Sequence, residues 1–444
     1  MTRYGSWIAW VCTMGIGGLG AETLFAQAAT RAVFVGNNGN LEGSLTAFTI
    51  DDNGRPQFVN RVITGTRPNT SVYEPGTNTY SIAISPNGRW LASGHASSDD
   101  PLQQTTIYEV AADASVTIRG EFPTPDTALD IGWISDTRVV ATRTEVGAQN
   151  QLLVYDWDEA ANTLTQVGFG NTGTFTSSLA VHPGGQYVYG ADSGSTSAIY
   201  VFHVEPDGTL TPLQTVNTPT YPLGAGVSPD GTKLYANGGI SGGGHAVIGY
   251  HIGPDGRLTA MAGSPFFSPG SSPKDVTFTP DTTLLFVAHG TDATVRSFTI
   301  DALTGAITST GFFFDVGLQG SLGDAVVLND LLLVTDNTTA IDGVMGLYSF
   351  AIQPNGNFTS TGPIVSTQGI APTEIAAWSP PPSCPGDFDG DRQVGLSDLT
   401  LLLSAYGHCT GDPEFIAAAD FDADGCIGLA DLTQFLALYG ANCP

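Results

Sequence analysis

A unit of about fifty residues recurs along most of this 444-residue chain and limits its possible folds more than any other feature. Each unit begins with a short apolar strand that ends in a polar turn, as in Gly226-Val227-Ser228-Pro229-Asp230-Gly231. Seven turn residues mark the units at intervals of 46 to 51 residues: Pro86, Asp136, Pro183, Pro229, Pro280, Asn329 and Pro380. Self-similarity at such a period is typical of repeat architectures.

Each unit contains three further strand patterns. A second apolar strand such as Leu284 to Ala288 is followed by an alternating third strand such as Thr294 to Ile300. A turn such as Pro206-Asp207-Gly208 then leads to a fourth, more polar strand. Turns of this chemistry join neighbouring antiparallel strands. Four strands repeated in this way predict a mainly β fold, a seven-bladed β-propeller.

The ends of the repeat region predict how the ring closes. Residues 31 to 65 hold three strands of a blade that lacks its first strand, and Ile375 to Trp378 is a first strand with no successors. Pairing the C-terminal strand with the N-terminal blade removes both exposed sheet edges. A linear stack of sheets is the alternative, and it would leave two incomplete units.

The repeat region resembles the lactonase-type seven-bladed propellers, which include the 6-phosphogluconolactonase-like proteins. The resemblance extends over most of residues 31 to 380 and rests on four stretches: Gly226 to Tyr235, Val247 to Thr259, Asp275 to His289 and Gly346 to Thr359. It implies hydrolysis of sugar-derived lactones. Family members often have an Arg-His pair ahead of a first strand, where this chain has Pro273-Lys274-Asp275. No family catalytic residue maps onto this chain, so none is assigned.

Polar residues end the second strand of every unit. Because ligands of propellers bind at the mouth of the central channel, these strand ends are a candidate site for an anion, a metal or acid–base chemistry. The residues are Asn37, His95, Arg143, Asp192, Asn237, His289 and Asp336. The alternative is structural, since Asn, Asp and His tolerate the turn conformations found at strand ends.

The N-terminus predicts an exported protein, and the charge excludes one class of partner. Arg3, an apolar stretch from Trp7 to Gly20 and the small-x-small site Ala26-Gln27-Ala28 are typical of a signal peptide over residues 1–28, with cleavage near Ala28. We therefore expect a secreted, periplasmic or cell-surface protein without a membrane span. The net charge of −28 excludes nucleic acid as a partner. The propeller is expected over 29–379, with a proline-rich linker at 380–383.

The last segment, 384–444, contains a duplicated calcium loop. The twelve residues from Asp387 to Asp398 recur thirty-three residues later as Asp420 to Asp431. Carboxylates at loop positions 1, 3, 5 and 12, with a backbone carbonyl at position 7, supply the oxygen ligands that calcium requires. The predicted ligands of two calcium ions are Asp387, Asp389, Asp391, Gln393, Asp398, Asp420, Asp422, Asp424, Cys426 and Asp431. The second loop is expected to bind more tightly, because Gly425 eases its turn where the first loop has Arg392.

Each loop leads into an apolar helix, predicted at Leu399 to Tyr406 and at Leu432 to Tyr439, with no helix before it. Two loop-helix units of this kind resemble the type I dockerin, a small α-helical duplicated F-hand module. The resemblance implies a cohesin-like or other surface protein as partner. Its antiparallel helices imply the disulfides Cys384–Cys443 and Cys409–Cys426, one of three possible pairings of four cysteines.

Two functions remain open from the sequence. The first is a non-catalytic binding propeller that the calcium module attaches to a complex or a cell surface. The second is a lactonase-like hydrolase, acting on sugar-derived lactones or other carbohydrate-related compounds and presented by the same module. The first is favoured, because no catalytic set can be assigned; the ligand of the propeller stays unknown.

Overall fold

A computed structural model of the chain describes thirteen segments. They are residues 31–38, 43–64, 79–95, 104–124, 128–144, 150–239, 245–317, 322–338, 343–379, 385–388, 393–412, 414–422 and 424–441. The predicted signal peptide and linker lie outside these segments. So do Asp389, Asp391, Cys384 and Cys443.

Thirty strands form seven antiparallel sheets, which we number as blades 1 to 7. Blade 1 contains β1 (Ala32–Asn37), β2 (Ser44–Ile50), β3 (Pro56–Ile63) and β30 (Pro372–Trp378). Blade 2 contains β4 (Thr79–Ile84), β5 (Trp90–His95), β6 (Gln104–Val110) and β7 (Val116–Pro123). Blade 3 contains β8 (Ile131–Ser135), β9 (Arg138–Arg143), β10 (Gln151–Asp158) and β11 (Thr163–Asn171). Blade 4 contains β12 (Thr176–Val181), β13 (Tyr187–Asp192), β14 (Ala198–Val204) and β15 (Leu210–Asn217).

The remaining three blades follow the same plan, two of them with a divided outer strand. Blade 5 contains β16 (Tyr221–Val227), β17 (Lys233–Gly239), β18 (Ala246–Ile252), β19 (Leu258–Ala260) and β20 (Phe266–Phe267). Blade 6 contains β21 (Pro273–Phe278), β22 (Leu284–His289), β23 (Thr294–Ile300) and β24 (Ile307–Asp315). Blade 7 contains β25 (Leu322–Leu328), β26 (Leu331–Asp336), β27 (Gly346–Ile352), β28 (Phe358–Ser360) and β29 (Val365–Ser366).

The predicted seven-bladed ring and its closure are confirmed. Strand β30 pairs antiparallel with β1, and Val35 lies opposite Ile375 in the register. The first strands of the blades contact one another in the cyclic order β4, β8, β12, β16, β21, β25, β30 and back to β4. The linear stack is therefore wrong.

Apolar packing between blades stabilises the ring. Seven buried hydrophobic clusters each join two neighbouring blades, one cluster for every interface. In β1, Phe34 packs toward blade 2 whereas Val35 packs toward blade 7. Because successive side chains of a strand point to opposite faces, each blade contributes to two clusters.

The C-terminal segment holds two short helices, α1 (Leu396–Ala405) and α2 (Leu429–Leu438). Each begins three residues earlier than predicted, because loop position 12 lies in the first helical turn. There Asp398 accepts the Gly395 amide at 2.8 Å, and Asp431 accepts the Gly428 amide at 2.7 Å. Within the described segments no helix is both long and apolar enough to cross a bilayer.

The two loop-helix units pack with each helix end beside the loop of the other unit. After α1, the Gly407 amide donates to the Ile427 carbonyl of the second loop at 2.8 Å. After α2, the Gly440 amide donates to the Val394 carbonyl of the first loop, also at 2.8 Å. Cys409 and Cys426 form a disulfide across the first of these junctions. The pairing Cys384–Cys443 lies outside the described residues.

The closing strand provides a test of the ring. Trp378 packs on Gly88 of blade 2, where a Cβ atom would lie within 2.0 Å of the indole. Trp378→Ala is expected to lower the free energy of unfolding by about 2–3 kcal/mol, because it removes this contact between the terminal strand and its neighbour. Denaturant unfolding would measure it, with Phe313→Ala on an exposed outer strand as the control. Equal losses for both variants would contradict a role for Trp378 in closure.

Candidate functional site at the channel mouth

First strands begin and second strands end at the same face of the ring, which we call the mouth face. The seven strand-end residues predicted as a site all lie at this face, each one strand outward from the first strand of its blade. Six of them are buried with no exposed surface: Asn37, His95, Asp192, Asn237, His289 and Asp336. Arg143 is half-buried.

These side chains bond to the strands and loops around them. Asn37 donates to Ser44 Oγ at 2.9 Å, and Arg143 donates to Gln151 at 3.1 Å. Asp192 accepts the Phe175 amide at 2.6 Å. His95 and His289 are paired with hydroxyl groups, and Asp336 accepts the Thr338 amide at 3.0 Å. The structure thus brings the seven residues to one face and engages six of them in local hydrogen bonds, whereas neither polar side-chain atom of Asn237 has a partner among the described residues.

A second set of residues lies closer to the channel, at the start of each first strand. We call it the mouth ring. It contains one residue per blade, at intervals of 46 to 51 residues. From blade 1 to blade 7 its members are Glu374, Ser81, Asp130, Ser178, Gly224, Asp275 and Asp324.

A bulge shapes the strand at this level. The register of the first strand shifts beside the mouth ring in six of the seven blades. A bulge leaves a residue outside the ladder and re-aims its side chain, and bulges are common beside functional sites. The carboxylates compensate for the lost pairing, since Asp275 accepts the Val276 amide and Asp324 accepts the Ala325 amide, both at 2.7 Å.

Two ring carboxylates also connect neighbouring blades. Asp130 of blade 3 accepts the Leu179 amide and the Ser178 hydroxyl of blade 4, both at 2.8 Å. Asp324 of blade 7 accepts the Ile375 amide of blade 1. Charge-assisted bonds of this kind are stronger than neutral ones, so these two side chains fasten adjacent first strands together.

Three consecutive blades bring a cluster of charge to one side of the mouth. It consists of Asp275 in blade 6, Asp324 in blade 7 and Glu374 in blade 1, together with Lys274. Asp275 and Asp324 are hydrogen-bonded to each other. Lys274 donates to the Gly323 carbonyl at 2.5 Å and lies in the electrostatic field of all three carboxyl groups.

Burial governs the protonation of this cluster. It raises the pKa of Asp275 well above its ordinary value, and the charge of Asp324 raises it further. Burial likewise raises the pKa of Glu374 and Asp324, and it raises that of Asp130 to about 6. For Lys274 burial lowers the pKa, but the charges of Glu374, Asp324 and Asp275 outweigh it, so the pKa rises and the ammonium form persists.

Glu374 differs from the other ring acids. Among the described residues no hydrogen bond to its carboxyl group is found, whereas Asp130 and Asp324 accept hydrogen bonds from backbone amides. Asp275 and Asp324 are two carboxyl groups in direct contact, and such a pair retains a proton because both cannot ionise together. The cluster therefore combines a cation, a proton donor and a carboxyl group without a hydrogen bond among the described residues, which is a set suited to acid–base chemistry.

Apolar side chains surround part of the mouth. Tyr80 and Leu223 each precede a mouth-ring residue, and Tyr221 begins the same strand as Leu223. All three are about two-fifths exposed. These apolar side chains lie close to mouth-ring positions in sequence, so the mouth face offers both polar and apolar contacts to a ligand.

Three acidic residues of the second acidic loop lie close together, and whether they hold a metal stays a prediction. Oxygens of Asp420, Asp422 and Asp431 all lie within 4.8 Å of one another. Asp420 accepts the Gly425 amide at 3.0 Å, which wraps the loop around its first residue. In the first loop, Asp387, Gln393 and Asp398 are described whereas Asp389 and Asp391 lie outside the described residues.

The polar residues at the ends of the second strands do not identify the mouth ring. A signal for it exists, because each member lies five or six residues before one of the seven turn markers. At that offset the residues are polar in six of seven units, and Gly224 is the exception. A Cβ on Gly224 would lie 2.3 Å from the Lys274 carbonyl, so close approach of blade 6 excludes a side chain there.

Asp275→Asn tests the shared proton. The amide can donate to Asp324 and accept from Val276, so it mimics protonated Asp275. When the pKa of a carboxyl group is raised in the folded state, the free energy of unfolding of the protein falls as the pH rises above the unfolded pKa of about 4. The variant should therefore gain stability over wild type increasingly between pH 4 and pH 8. Thermal unfolding followed by tryptophan fluorescence measures this in the propeller, since residues 384–444 contain no tryptophan. A stability difference between Asp275→Asn and wild type that stays constant with pH would argue against the raised pKa. Asp275→Ala is the matched control, because it removes the carboxyl group without supplying an amide that can form hydrogen bonds.

Comparison with known proteins identifies relatives in structure only. No protein-family model and no curated protein match the chain. A putative 6-phosphogluconolactonase from Bacteroides uniformis matches with a TM-score of 0.62 at 16% identity, over 78% of this chain and 99% of that one. The periplasmic gluconolactonase of Pseudomonas aeruginosa matches with a TM-score of 0.62 at 18% identity, over 79% and 99%. At these identities the likeness shows a shared fold, the seven-bladed propeller of 6-phosphogluconolactonase-like proteins.

Proposed function

We propose that the propeller hydrolyses lactones at its mouth, with Lys274, Asp275 and Glu374 as the reacting groups. The observation that carries this is the cluster of one ammonium and three carboxyl groups in blades 6, 7 and 1. Two proteins of the same fold are described as a putative 6-phosphogluconolactonase and a gluconolactonase. These neighbours favour the hydrolase over the non-catalytic propeller that the sequence alone favoured.

The chemistry assigns one role to each group. The Lys274 ammonium polarises the lactone carbonyl and stabilises the oxyanion that forms on it. Glu374 takes a proton from water while the water oxygen bonds to the carbonyl carbon. The ring C–O bond then breaks, and the leaving oxygen takes the proton of Asp275. The proton on Glu374 returns to Asp275 through solvent, and the product is an open-chain hydroxy acid. Carboxyl groups with raised pKa values are suited to such transfers near neutral pH.

The charge of the site selects the substrate. The chain has a net charge of −28, and four of the seven mouth-ring residues are carboxyl groups. A phosphorylated lactone would be repelled by this field, whereas an uncharged lactone would not. We therefore assign uncharged sugar lactones as the substrate class. The anionic product would leave readily for the same reason.

The second candidate is a non-catalytic propeller. The hydrogen bonds of Asp130 and Asp324 favour it, because they connect neighbouring blades. A structural role alone thus accounts for two of the four acidic residues of the mouth ring. The two candidates differ over Glu374 and Lys274, for which a purely structural ring predicts no effect on any reaction.

Hydrolysis of glucono-δ-lactone by the purified chain decides between them. Proton release above the spontaneous rate is expected, and Glu374→Gln should lower kcat by about 100-fold or more, as for loss of a general base. Lys274→Met should lower it as well, whereas Lys233→Met, the only other lysine and part of a turn, should not. The phosphorylated lactone should react with a lower kcat/KM, and added salt should narrow the difference. A rate equal to spontaneous hydrolysis would leave the non-catalytic candidate.

We further propose that the C-terminal module binds calcium and docks the chain to a surface protein after export. The converging oxygens of Asp420, Asp422 and Asp431 fit a calcium loop, and Asp424 and the Cys426 carbonyl would complete it. The Cys409–Cys426 disulfide supports export, since disulfides persist in oxidising compartments.

Exposed apolar side chains support the docking role. They form three pairs at corresponding positions of the two helices: Leu396 and Leu429, Leu403 and Leu436, Tyr406 and Tyr439. Leu396 and Leu429 occupy loop position 10, where type I dockerins commonly have a hydroxylated residue. We therefore propose a cohesin-like or other surface protein whose contact is largely apolar.

Calcium titration tests the module. Binding to the folded state alone raises its stability with calcium concentration. Asp420→Ala should weaken calcium binding more than Asp387→Ala, because Gly425 shapes the second loop whereas Arg392 occupies the corresponding position of the first. Isothermal titration calorimetry on the full chain measures both affinities. Absence of calcium-dependent heat in wild type would refute the metal site, and equal losses would refute the ranking.

A further inference from the structure

The loop from blade 5 to blade 6 leads directly to Lys274. Residues 268–272 cross the mouth face and continue into β21, whose second residue is Lys274. His289, at the end of β22, lies beneath this loop. Its Nε2 atom is 2.7 Å from Ser268 Oγ, and a Cβ on Gly270 would lie 2.3 Å from the ring. The loop therefore rests directly on the imidazole.

The hydrogen bonds of His289 define its tautomer. Its Nδ1 atom lies 3.3 Å from the Thr294 carbonyl, which can only accept, so Nδ1 carries the proton. Nε2 is then the acceptor for the Ser268 hydroxyl. Both side chains are fully buried. Burial lowers the pKa of His289 to about 4, so the neutral form persists near pH 7.

Further bonds fix the same loop to the end of β22. The Gly290 amide donates to the Ser272 carbonyl at 2.9 Å, and the Thr291 hydroxyl donates to Ser272 Oγ at 2.8 Å. Ser272 has a φ of 56°, a left-handed conformation that is uncommon for residues other than glycine. The hydrogen bonds around Ser272 thus hold the backbone one residue before β21 in a conformation that is uncommon for serine.

We propose that His289 is a positioning residue that sets the location of Lys274 at the mouth. By holding Ser268 and Gly270, it fixes the loop that enters β21 at Pro273, which is paired with His289 in the sheet. The effect on catalysis rests on the proposed lactone hydrolysis. The effect on the placement of Lys274 does not.

Blade 2 provides a matched control. His95 ends its second strand as His289 does, and it is equally buried. Its Nε2 atom bonds to Ser93 Oγ at 3.0 Å and to Thr106 Oγ1 at 2.9 Å, both on strands of its own blade. The first strand of blade 2 has Tyr80 at the position where the first strand of blade 6 has Lys274. Replacing His95 should therefore cost stability without moving the lysine.

Lysine labelling measures the placement of Lys274 without reference to activity. The chain contains two lysines, so mass spectrometry after brief acylation gives the labelling rate of Lys274 relative to Lys233. His289→Phe should raise this ratio about threefold or more by loosening the loop that holds Lys274, whereas His95→Phe should leave it unchanged. His289→Gln should restore much of the wild-type ratio, because its amide oxygen can accept from Ser268.

Kinetics provide the second measurement. If lactone hydrolysis holds, His289→Phe should lower kcat roughly 10- to 100-fold with a smaller change in KM, since misplacement by an ångström has effects of this size. His95→Phe should leave kcat unchanged, even where it lowers the melting temperature by the same amount as His289→Phe. Equal labelling ratios for the two Phe variants would overturn the proposal. An altered ratio in a chain without lactonase activity would uphold the positioning role and refute the proposed function instead.

Discussion

The pairing of β30 with β1 is the interaction on which the rest of the propeller depends. It joins residues about 340 positions apart in the chain and places Glu374 in the same ring as Asp275 and Asp324. Without it, blade 1 would lack its first strand and the mouth would lack Glu374, the ring acid that accepts no backbone amide among the described residues. Closure of the fold and assembly of the candidate site are therefore the same event.

Acidic residues at the mouth are costly for the folded state. Each of the four mouth-ring carboxyl groups has a raised pKa, which means that its ionised form is less stable in the protein than in water. Asp130 and Asp324 offset part of that cost by accepting hydrogen bonds from backbone amides. Glu374 has no such compensation among the described residues. A group that is kept in an unfavourable state without a structural bond is a candidate for chemistry.

The blade repeat could be predicted from sequence because it has a fixed spacing. The fifty-residue period predicts seven blades, whereas the Cys409–Cys426 pairing is implied by the resemblance of the two loop-helix units to a dockerin. The mouth ring has an equally regular spacing, but its importance depends on the bulge that turns Asp275 toward Asp324. The polar strand ends predict His289 as a candidate site residue. Its burial and its hydrogen bond to Ser268 depend on the fold and could not be predicted from the sequence.

Lysine placement explains how the mouth can accommodate several carboxyl groups close together. Lys274 is the only lysine near the channel, and its ammonium lies in the field of Asp275, Asp324 and Glu374. One cation among three carboxyl groups, two of which share a proton, leaves a cluster with little net charge at its centre. A lactone carbonyl that displaced the Gly323 oxygen from Lys274 would keep that balance, because one neutral acceptor replaces another. A phosphate group would not, since it would add charge to a site already surrounded by a strongly acidic chain. The balance thus depends on a single ammonium group, and the loop that His289 supports determines where that group lies.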